Sequence, residues 1–397
     1  MAQLSVVSSK QKKCMRSSLL RRLLVPTLAT RLHASAVMTA TVDPRSICDR
    51  YTDDIYEKMK NDNERTAAYE AAITKAAPGR VCLDVGTGAL ALLALVAARA
   101  GAKHVYAVEA NMEAAQAARA AVAEAGMAER VTILDGYSTD VTLPEPVDLL
   151  MHEIFGEIAG AEGVVAAIAD ATKRHMRPSA LAIDGASPST AASATLSVPG
   201  RARSLVAPAE FPTREYFSSL PFPMIAAPGA TALKLPNLPR DLLLAPAATF
   251  EELDFTALAP AVAHDHTLAF VAARDGALRG LLVHIELEML PQLREHAAGG
   301  GGKDGGSGDD DDISGAADEG ASDGGGDGID VSSARTGSHW PNVFLMLPDP
   351  VDIAAGQRVV VDTSARLGSE HPSYSFSVAL EGMDGARREL GRLTYPE

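Results

Sequence analysis

Residues 81–109 read VCLDVGTGALALLALVAARAGAKHVYAVE, and their pattern decides the fold class. Val81–Val85 is a short apolar run that breaks at Gly86-Thr87-Gly88. Leu90–Ala100 is Ala- and Leu-rich, as a buried helix is, and Gly101 stands where a helix-ending glycine belongs. His104–Glu109 is a second strand-like run. Strand, glycine turn, helix, strand is a βαβ unit, and its two strands must run parallel. The pattern repeats outward through Glu113–Ala125, Gly126, Val131–Asp135, Val147–Glu153 and Ala180–Ile183. From about residue 51 to 184 the chain therefore predicts a parallel sheet covered by helices on both faces.

After about residue 190 the texture changes. Prolines cluster between Pro199 and Pro260, and in Leu282–Leu290 apolar Val283, Ile285, Leu287 and Met289 alternate with His284, Glu286 and Glu288. Tyr374–Leu380 alternates likewise, and period two with one wet face predicts an antiparallel sheet or barrel. The organisation expected is a basic segment over 1–42, an α/β domain over 43–186 and a β domain over 187–397. Residues 297–337 interrupt the β domain. The stretch from His296 to Gly337 holds fourteen glycines and the run Asp309–Asp312. That composition cannot bury enough apolar surface to offset ordering entropy, so a solvated acidic loop is expected.

The formal net charge of −15 is unevenly placed. Residues 1–42 carry seven Lys and Arg and no acid. This composition suits a mitochondrial or plastid transit peptide. A disordered extension, or a start at Met38, would leave the chain in cytoplasm or nucleus. The acidic body argues against direct nucleic-acid binding, which needs a basic face, and favours cationic partners. No apolar stretch is long enough for a membrane helix. Cys14, Cys48 and Cys82 make neither a disulfide framework nor a metal cluster.

Asp84, Gly86 and Gly88 close the first strand, where glycines let backbone approach a ligand and a helix N-terminus attracts negative charge. Glu109 ends the second strand and can accept both hydroxyls of a ribose. A nicotinamide dinucleotide fits these features too, but position 90 is leucine where a pyrophosphate would require a third glycine. An adenosyl ligand without phosphates fits better, with Asp84 facing the cationic part of S-adenosylmethionine. The fourth strand ends in His152-Glu153, and Glu162 follows nine residues later, past Gly156 and Gly160, so the chain can fold back as a loop.

With these residues in view, the sequence resembles the protein arginine methyltransferase family from about Tyr51 to the C-terminus, apart from the acidic insert. Met59 to Tyr69 resembles the family's pre-cofactor helix, Leu83–Gly88 its first motif, and Val108-Glu109-Ala110 its ribose-binding strand end. Glu153 and Glu162 match the paired glutamates of the double-E loop, and Ser338-His339-Trp340 stands where the family has Thr-His-Trp. The resemblance implies a seven-stranded Rossmann-like domain followed by a β-barrel-like domain. It further implies S-adenosylmethionine as methyl donor, no metal, and arginine-containing protein substrates, Arg/Gly-rich ones among them. A homodimer or pseudo-dimer is the implied assembly. Glu153 and Glu162 would act on the substrate, with Asp62 and His339 paired in support. Arg65, Asp84, Gly86, Gly88, Glu109 and Thr139 would hold the cofactor, and Met59, Phe155 and Trp340 would line the substrate. Glu157 carries no role.

The physics agrees. Methylating arginine brings a guanidinium and a sulfonium together, and two unit charges ~4 Å apart repel by roughly 4 kcal/mol at an effective dielectric of ~20. Paired carboxylates offset that repulsion and hold the planar fork in line. Four departures from the family pattern stand out: Leu90, one extra residue before Gly101, Phe155 in the double-E loop, and no acid at the adenine edge except Asp140. The order of Tyr51, Tyr56 and Met59 resembles the monomethylating branch, which leaves the product open. The competing readings are a methyltransferase for another amine or small molecule, a catalytically silent methyltransferase-like scaffold, and a dehydrogenase.

Overall fold

The computed structural model describes residues 62–177, 195–220, 231–257, 259–291, 329–369 and 371–396. The basic segment 1–42, Tyr51, Tyr56, Met59, the expected strand Ala180–Ile183 and most of the acidic insert lie outside the described residues.

Helix α1 (Asn63–Ala76) opens the described chain, and the Asp62 side chain caps it by accepting from the Arg65 amide. Its buried residues Arg65, Tyr69, Ala72, Ile73 and Ala76 recur at helical spacing, so one face meets the sheet. Strand β1 (Val81–Val85) is buried along its whole length, and α2 (Leu92–Arg99), β2 (His104–Glu109), α3 (Met112–Glu124) and β3 (Val131–Asp135) follow. Gly101 and Gly126 both take positive φ after their helices, at +95° and +68°. Strand β4 (Leu149–His152) and helix α4 (Val164–His175) lead to β5 (Ser197–Val198). The parallel order β3-β2-β1-β4-β5 sets five strands side by side among the described residues. Register aligns Val85 with Val108 and with His152, and Glu109 with Asp135. The carboxyl ends of β1, β2, β3 and β4 thus share one edge, the edge where open α/β sheets bind ligands.

The fifth strand lies further along the chain than expected, at Ser197–Val198, where it pairs with Leu150 and Met151. The α/β domain therefore runs past residue 186 and hands over between Val198 and β6 (Arg201–Ala209). After α5 (Arg214–Ser219) come β7 (Ala232–Leu235), β8 (Ala248–Asp254), β9 (Ala263–Val271), β10 (Gly276–Glu288), β11 (Val331–Ser332), β12 (Asn342–Ile353), β13 (Arg358–Arg366), β14 (Ser373–Glu381) and β15 (Arg387–Tyr395). They form two antiparallel sheets, β7-β12-β10-β6-β8 with β11 on β10, and β15-β14-β13-β9. The result is a Rossmann-like domain followed by a β-barrel-like one.

Two expectations change here. The alternation of Leu282–Leu290 does not leave one face wet, because Leu282 packs with Ala209, Leu233, Leu235 and Phe344 beneath Tyr216 and Phe217. Central strand β10 is covered on both sides. The insert does not extend to residue 337: Val331 and Ser332 form a buried strand opposite Leu287 and Glu286, and Arg335 pairs with Glu64 on α1. One buried cluster runs from Leu83 and Leu150 through Val283 and Ile285 to Val361 and Phe376, so the two domains share a core.

Candidate active site

The turn after β1 sets the cofactor edge. Gly86 and Gly88 take φ of +75° and +66°, conformations that cost an L side chain about 1–2 kcal/mol. The Gly86 and Thr87 amides both donate to the Val108 carbonyl, which ties the turn to β2. The left-handed residue that opens α2 is Ala91, at φ 45°, which is fully buried. The left-handed conformation that a third glycine would relax thus falls at Ala91, one position beyond Leu90.

Two acids face this turn. Glu109 is buried and accepts from the Gly88 amide (2.8 Å) with Oε2 and the Asn111 amide (2.8 Å) with Oε1. Asp84 is fully buried and accepts from the Thr87 hydroxyl (2.7 Å), while its Oδ1 lies buried without a hydrogen-bond partner. Burial raises the Asp84 carboxyl to about 7 against the lowering effect of Thr87, with Glu109 adding to the rise. Burial raises Glu109 as well. An orphaned acceptor inside a glycine turn is what a cationic or donor-bearing ligand would satisfy, so these residues fit an adenosyl sulfonium cofactor. Thr139 is exposed on the turn after β3, and that turn is joined to the site through the Gly136 amide, which donates to the Glu109 carbonyl (2.9 Å).

Glu153 follows β4 directly, and its Oε2 lies 3.0 Å from Nη1 of Arg65, both side chains nearly buried. The contact is an ion pair without an aligned hydrogen bond at that oxygen. Burial pushes the Glu153 carboxyl up to about 8: Arg65 opposes the rise, while Glu162, Asp62 and Asp84 add to it. One cation thus stands among four acids. Arg65, expected at the cofactor's carboxylate, here pairs with Glu153, and its guanidinium lies 5.9 Å from the centre of the Tyr69 ring.

Asp62 and His339 do meet across the chain. Asp62 Oδ2 accepts from both the His339 amide and Nδ1, each at 2.9 Å, while Oδ1 accepts from the Arg65 amide (3.1 Å). Burial pushes Asp62 upward, but the His339 ring, the His339 amide and the Arg65 amide together hold it below the usual carboxylate range. Burial lowers His339, with Arg65 acting the same way against Asp62. At neutral pH the arrangement is a neutral imidazole donating to a carboxylate. The pair ties α1 to the β domain beside Trp340, whose ring is 4.2 Å from that of His339.

Two expectations on the loop are corrected. Phe155 is only 3% exposed and packs against His152 and Phe255, so it belongs to the core rather than to an open substrate wall. Glu157 is not idle: it pairs with Lys234 on β7 and accepts from the Tyr395 hydroxyl (2.8 Å) on β15. Trp340 is buried too, at 4%. Sequence reasoning missed Glu251, Ser204 and Tyr374, which grip the same loop from the β domain.

A family model described as ribosomal protein L11 methyltransferase (PrmA) matches residues 67–184. A probable histone-arginine methyltransferase 1.4 from Arabidopsis thaliana is 38% identical over 125 residues, 31% of this chain and 24% of that one. The chain thus spans about a quarter of that curated relative. An arginine N(omega)-methyltransferase from Streptomyces achromogenes subsp. streptozoticus is 28% identical over 315 residues, 76% of this chain and 73% of that one. Among solved structures, the Trypanosoma brucei PRMT1 enzyme–prozyme heterotetrameric complex with AdoHcy is similar at TM-score 0.61 and 18% identity. The match covers 89% of this chain and 99% of that one. Arabidopsis thaliana protein arginine methyltransferase 10 gives TM-score 0.60 and 17% identity over 86% and 96%. In sequence over its α/β half and in fold over most of its length, the chain resembles the protein arginine N-methyltransferases.

Proposed function

We propose that this protein transfers a methyl group from S-adenosylmethionine to a guanidino nitrogen of arginine in protein substrates. The observation that carries the reading is Glu153, a buried acid raised to about 8 at the carboxyl edge of the sheet, with Glu162, Asp62 and Asp84 acting on it. Such a cluster is starved of positive charge, and a guanidinium beside a sulfonium supplies it. The bound cofactor would supply an electrophilic methyl. Asp84 and Glu109 would hold its adenosine and sulfonium side, Gly86 and Gly88 would allow its approach, and Arg65 would turn from Glu153 toward its carboxylate. Glu153 and Glu162 would grip the guanidinium and set one nitrogen in line. A guanidinium is not deprotonated beforehand, so the proton released on transfer needs an acceptor, and the acids of the cluster are the nearest bases. Pairing of two chains is part of the reading; the Trypanosoma neighbour is itself a heterotetrameric complex.

One observation favours a second reading. The Streptomyces relative, aligned along 76% of this chain, is named for arginine itself rather than for protein arginine. Offering labelled S-adenosylmethionine with an Arg-Gly peptide, its Lys counterpart and free L-arginine separates the two. Label in the Arg peptide alone supports the proposal. Label only in free arginine moves the substrate to the amino acid, and label in neither ends both.

The acid cluster also makes a pH prediction. Glu153 and Asp84, at about 8 and about 7, must ionise to receive two cations. The kcat/KM for arginine, which reports the free enzyme, should therefore rise with pH through about 7–8 and level off above. Stability moves the other way. A carboxyl raised in the folded state keeps a proton that the unfolded chain has lost, so ligand-free stability declines as pH climbs from 4.5 to about 8. A pH–rate profile that is flat between about 6 and 9 would contradict both assignments.

A further inference from the structure

A buried acid of the β domain bears on the loop that carries Glu162. Glu251 on β8 is fully buried, and its Oε2 accepts from the Ser204 hydroxyl (2.5 Å) and the Gly160 amide (3.3 Å). Its Oε1 accepts from the Tyr374 hydroxyl (2.8 Å). Ser204 in turn accepts from the Ala159 amide (2.9 Å), so two successive loop amides end on one carboxylate network. Burial raises the Glu251 carboxyl, and the three donors, Ser204, Tyr374 and Gly160, oppose that rise, with no acceptor facing it among the described residues. The carbonyl of Gly160 meanwhile accepts from the Gly163 amide (3.1 Å), which closes the turn around Glu162.

The contact admits no side chain at residue 160. A Cβ there would lie 2.6 Å from Glu251 Oε1 and 2.7 Å from the Tyr374 hydroxyl. A bulge lies beside this contact. β6 pairs Ser204 with Glu251 but Leu205 with Thr249, so Phe250 is an extra residue. That bulge lets Phe250 and Glu251 both face inward: Glu251 is in phase with buried Leu253, and strict alternation would have left Phe250 outside.

We propose that Glu251 is a positioning residue for methyl transfer: by holding the Gly160 amide it fixes where Glu162 meets the guanidinium. The role rests on the arginine-methyltransferase reading and adds a residue to it. Glu251→Ala and Glu251→Gln would be made in the wild-type and Glu162→Gln backgrounds. Methylation of an Arg-Gly peptide and calorimetric cofactor binding are the readouts. In the wild type, Glu251→Ala should lower kcat about 10–100-fold, the scale on which a loop misplaced by ~1 Å costs rate. Cofactor Kd should stay within about 3-fold. Glu251→Gln should recover most of the rate, because its amide oxygen still accepts from Gly160 and Ser204 while its NH2 donates to a rotated Tyr374 hydroxyl.

On the Glu162→Gln background the same Glu251→Ala should cost less than about 3-fold, since a residue acting through Glu162 has nothing left to position. Equal losses in both backgrounds would overturn the role and make Glu251 a general fold residue. If Glu251→Ala does not fold, Tyr374→Phe removes one donor at constant shape and should show the same background dependence with a smaller loss. A wild-type protein active on arginine with Glu251→Ala unimpaired overturns this role alone. A wild-type protein inert on arginine overturns it together with the reading beneath it.

Discussion

Glu153→Gln and Glu162→Gln should each lower the rate of arginine methylation by roughly 10²–10³-fold, a loss of ~3–4 kcal/mol of transition-state stabilisation. Each change keeps shape and hydrogen-bonding capacity and removes one negative charge beside two cations. The fold should survive it. Burial opposes the charged form of Glu153 and raises its carboxyl to about 8, so an uncharged amide is tolerated there. Melting of Glu153→Gln should therefore match or exceed that of the wild type above neutral pH, while kcat collapses. Cofactor affinity should change far less, because the adenosyl contacts rest on Asp84 and Glu109. Glu157 is unsuited as a control now that Lys234 and Tyr395 hold it. Exposed Glu124 on α3 serves instead, and Glu124→Gln should be silent. Full activity in both Glu153→Gln and Glu162→Gln would remove the charge-balancing mechanism altogether.

Gly86→Ala should be the most damaging single methyl added to the cofactor edge. At φ +75° an alanine pays about 1–2 kcal/mol of backbone strain. Its Cβ would lie only 2.5 Å from Cγ2 of Ile154, so something must move. Ile154 is the residue after Glu153, and its displacement would carry the Glu153 carboxylate with it. Methyl transfer should fall by on the order of 10²-fold, the scale expected when reacting groups shift by ~1 Å. Gly79→Ala isolates the backbone cost: Gly79 has φ +73° and nothing within 4 Å of a Cβ. That variant should melt lower by about the same strain and keep wild-type kinetics. Equal kinetics in the two variants would show that the Ile154 contact does not reach the chemistry.

Much of the α/β domain is determined within the sequence itself. Val81–Val85, His104–Glu109 and Val131–Asp135 appear at the expected residues, and β4 is a trimmed Val147–Glu153. β1, β2 and β4 are almost wholly buried, β3 partly so, and glycines stand near the ends of the first three, so their signal is local and needs no partner to be read. The same holds for the helix-ending glycines and for the placing of Asp84, Glu109 and Glu153 at strand ends. Spacing also brought Glu162 within a loop's reach of Glu153, and the family resemblance named the Asp62–His339 pair.

Only the tertiary structure decided what those residues touch. The Arg65–Glu153 ion pair joins residues that share no local pattern, as does the link from Glu157 to Tyr395. Phe155 reads as a loop residue along the chain, and its burial depends on Phe255 arriving from the other domain. Val331 and Ser332 lie beside a glycine-rich acidic run and become a strand because β10 offers them an edge. Glu251 is the sharpest case: an acid on a strand carries no local mark of burial, and the groups that satisfy it, Gly160, Ser204 and Tyr374, come from three distant segments. Period and glycine signals are set by neighbours a few residues apart, whereas these contacts depend on strand register and on segments meeting across the cleft, which no local pattern encodes.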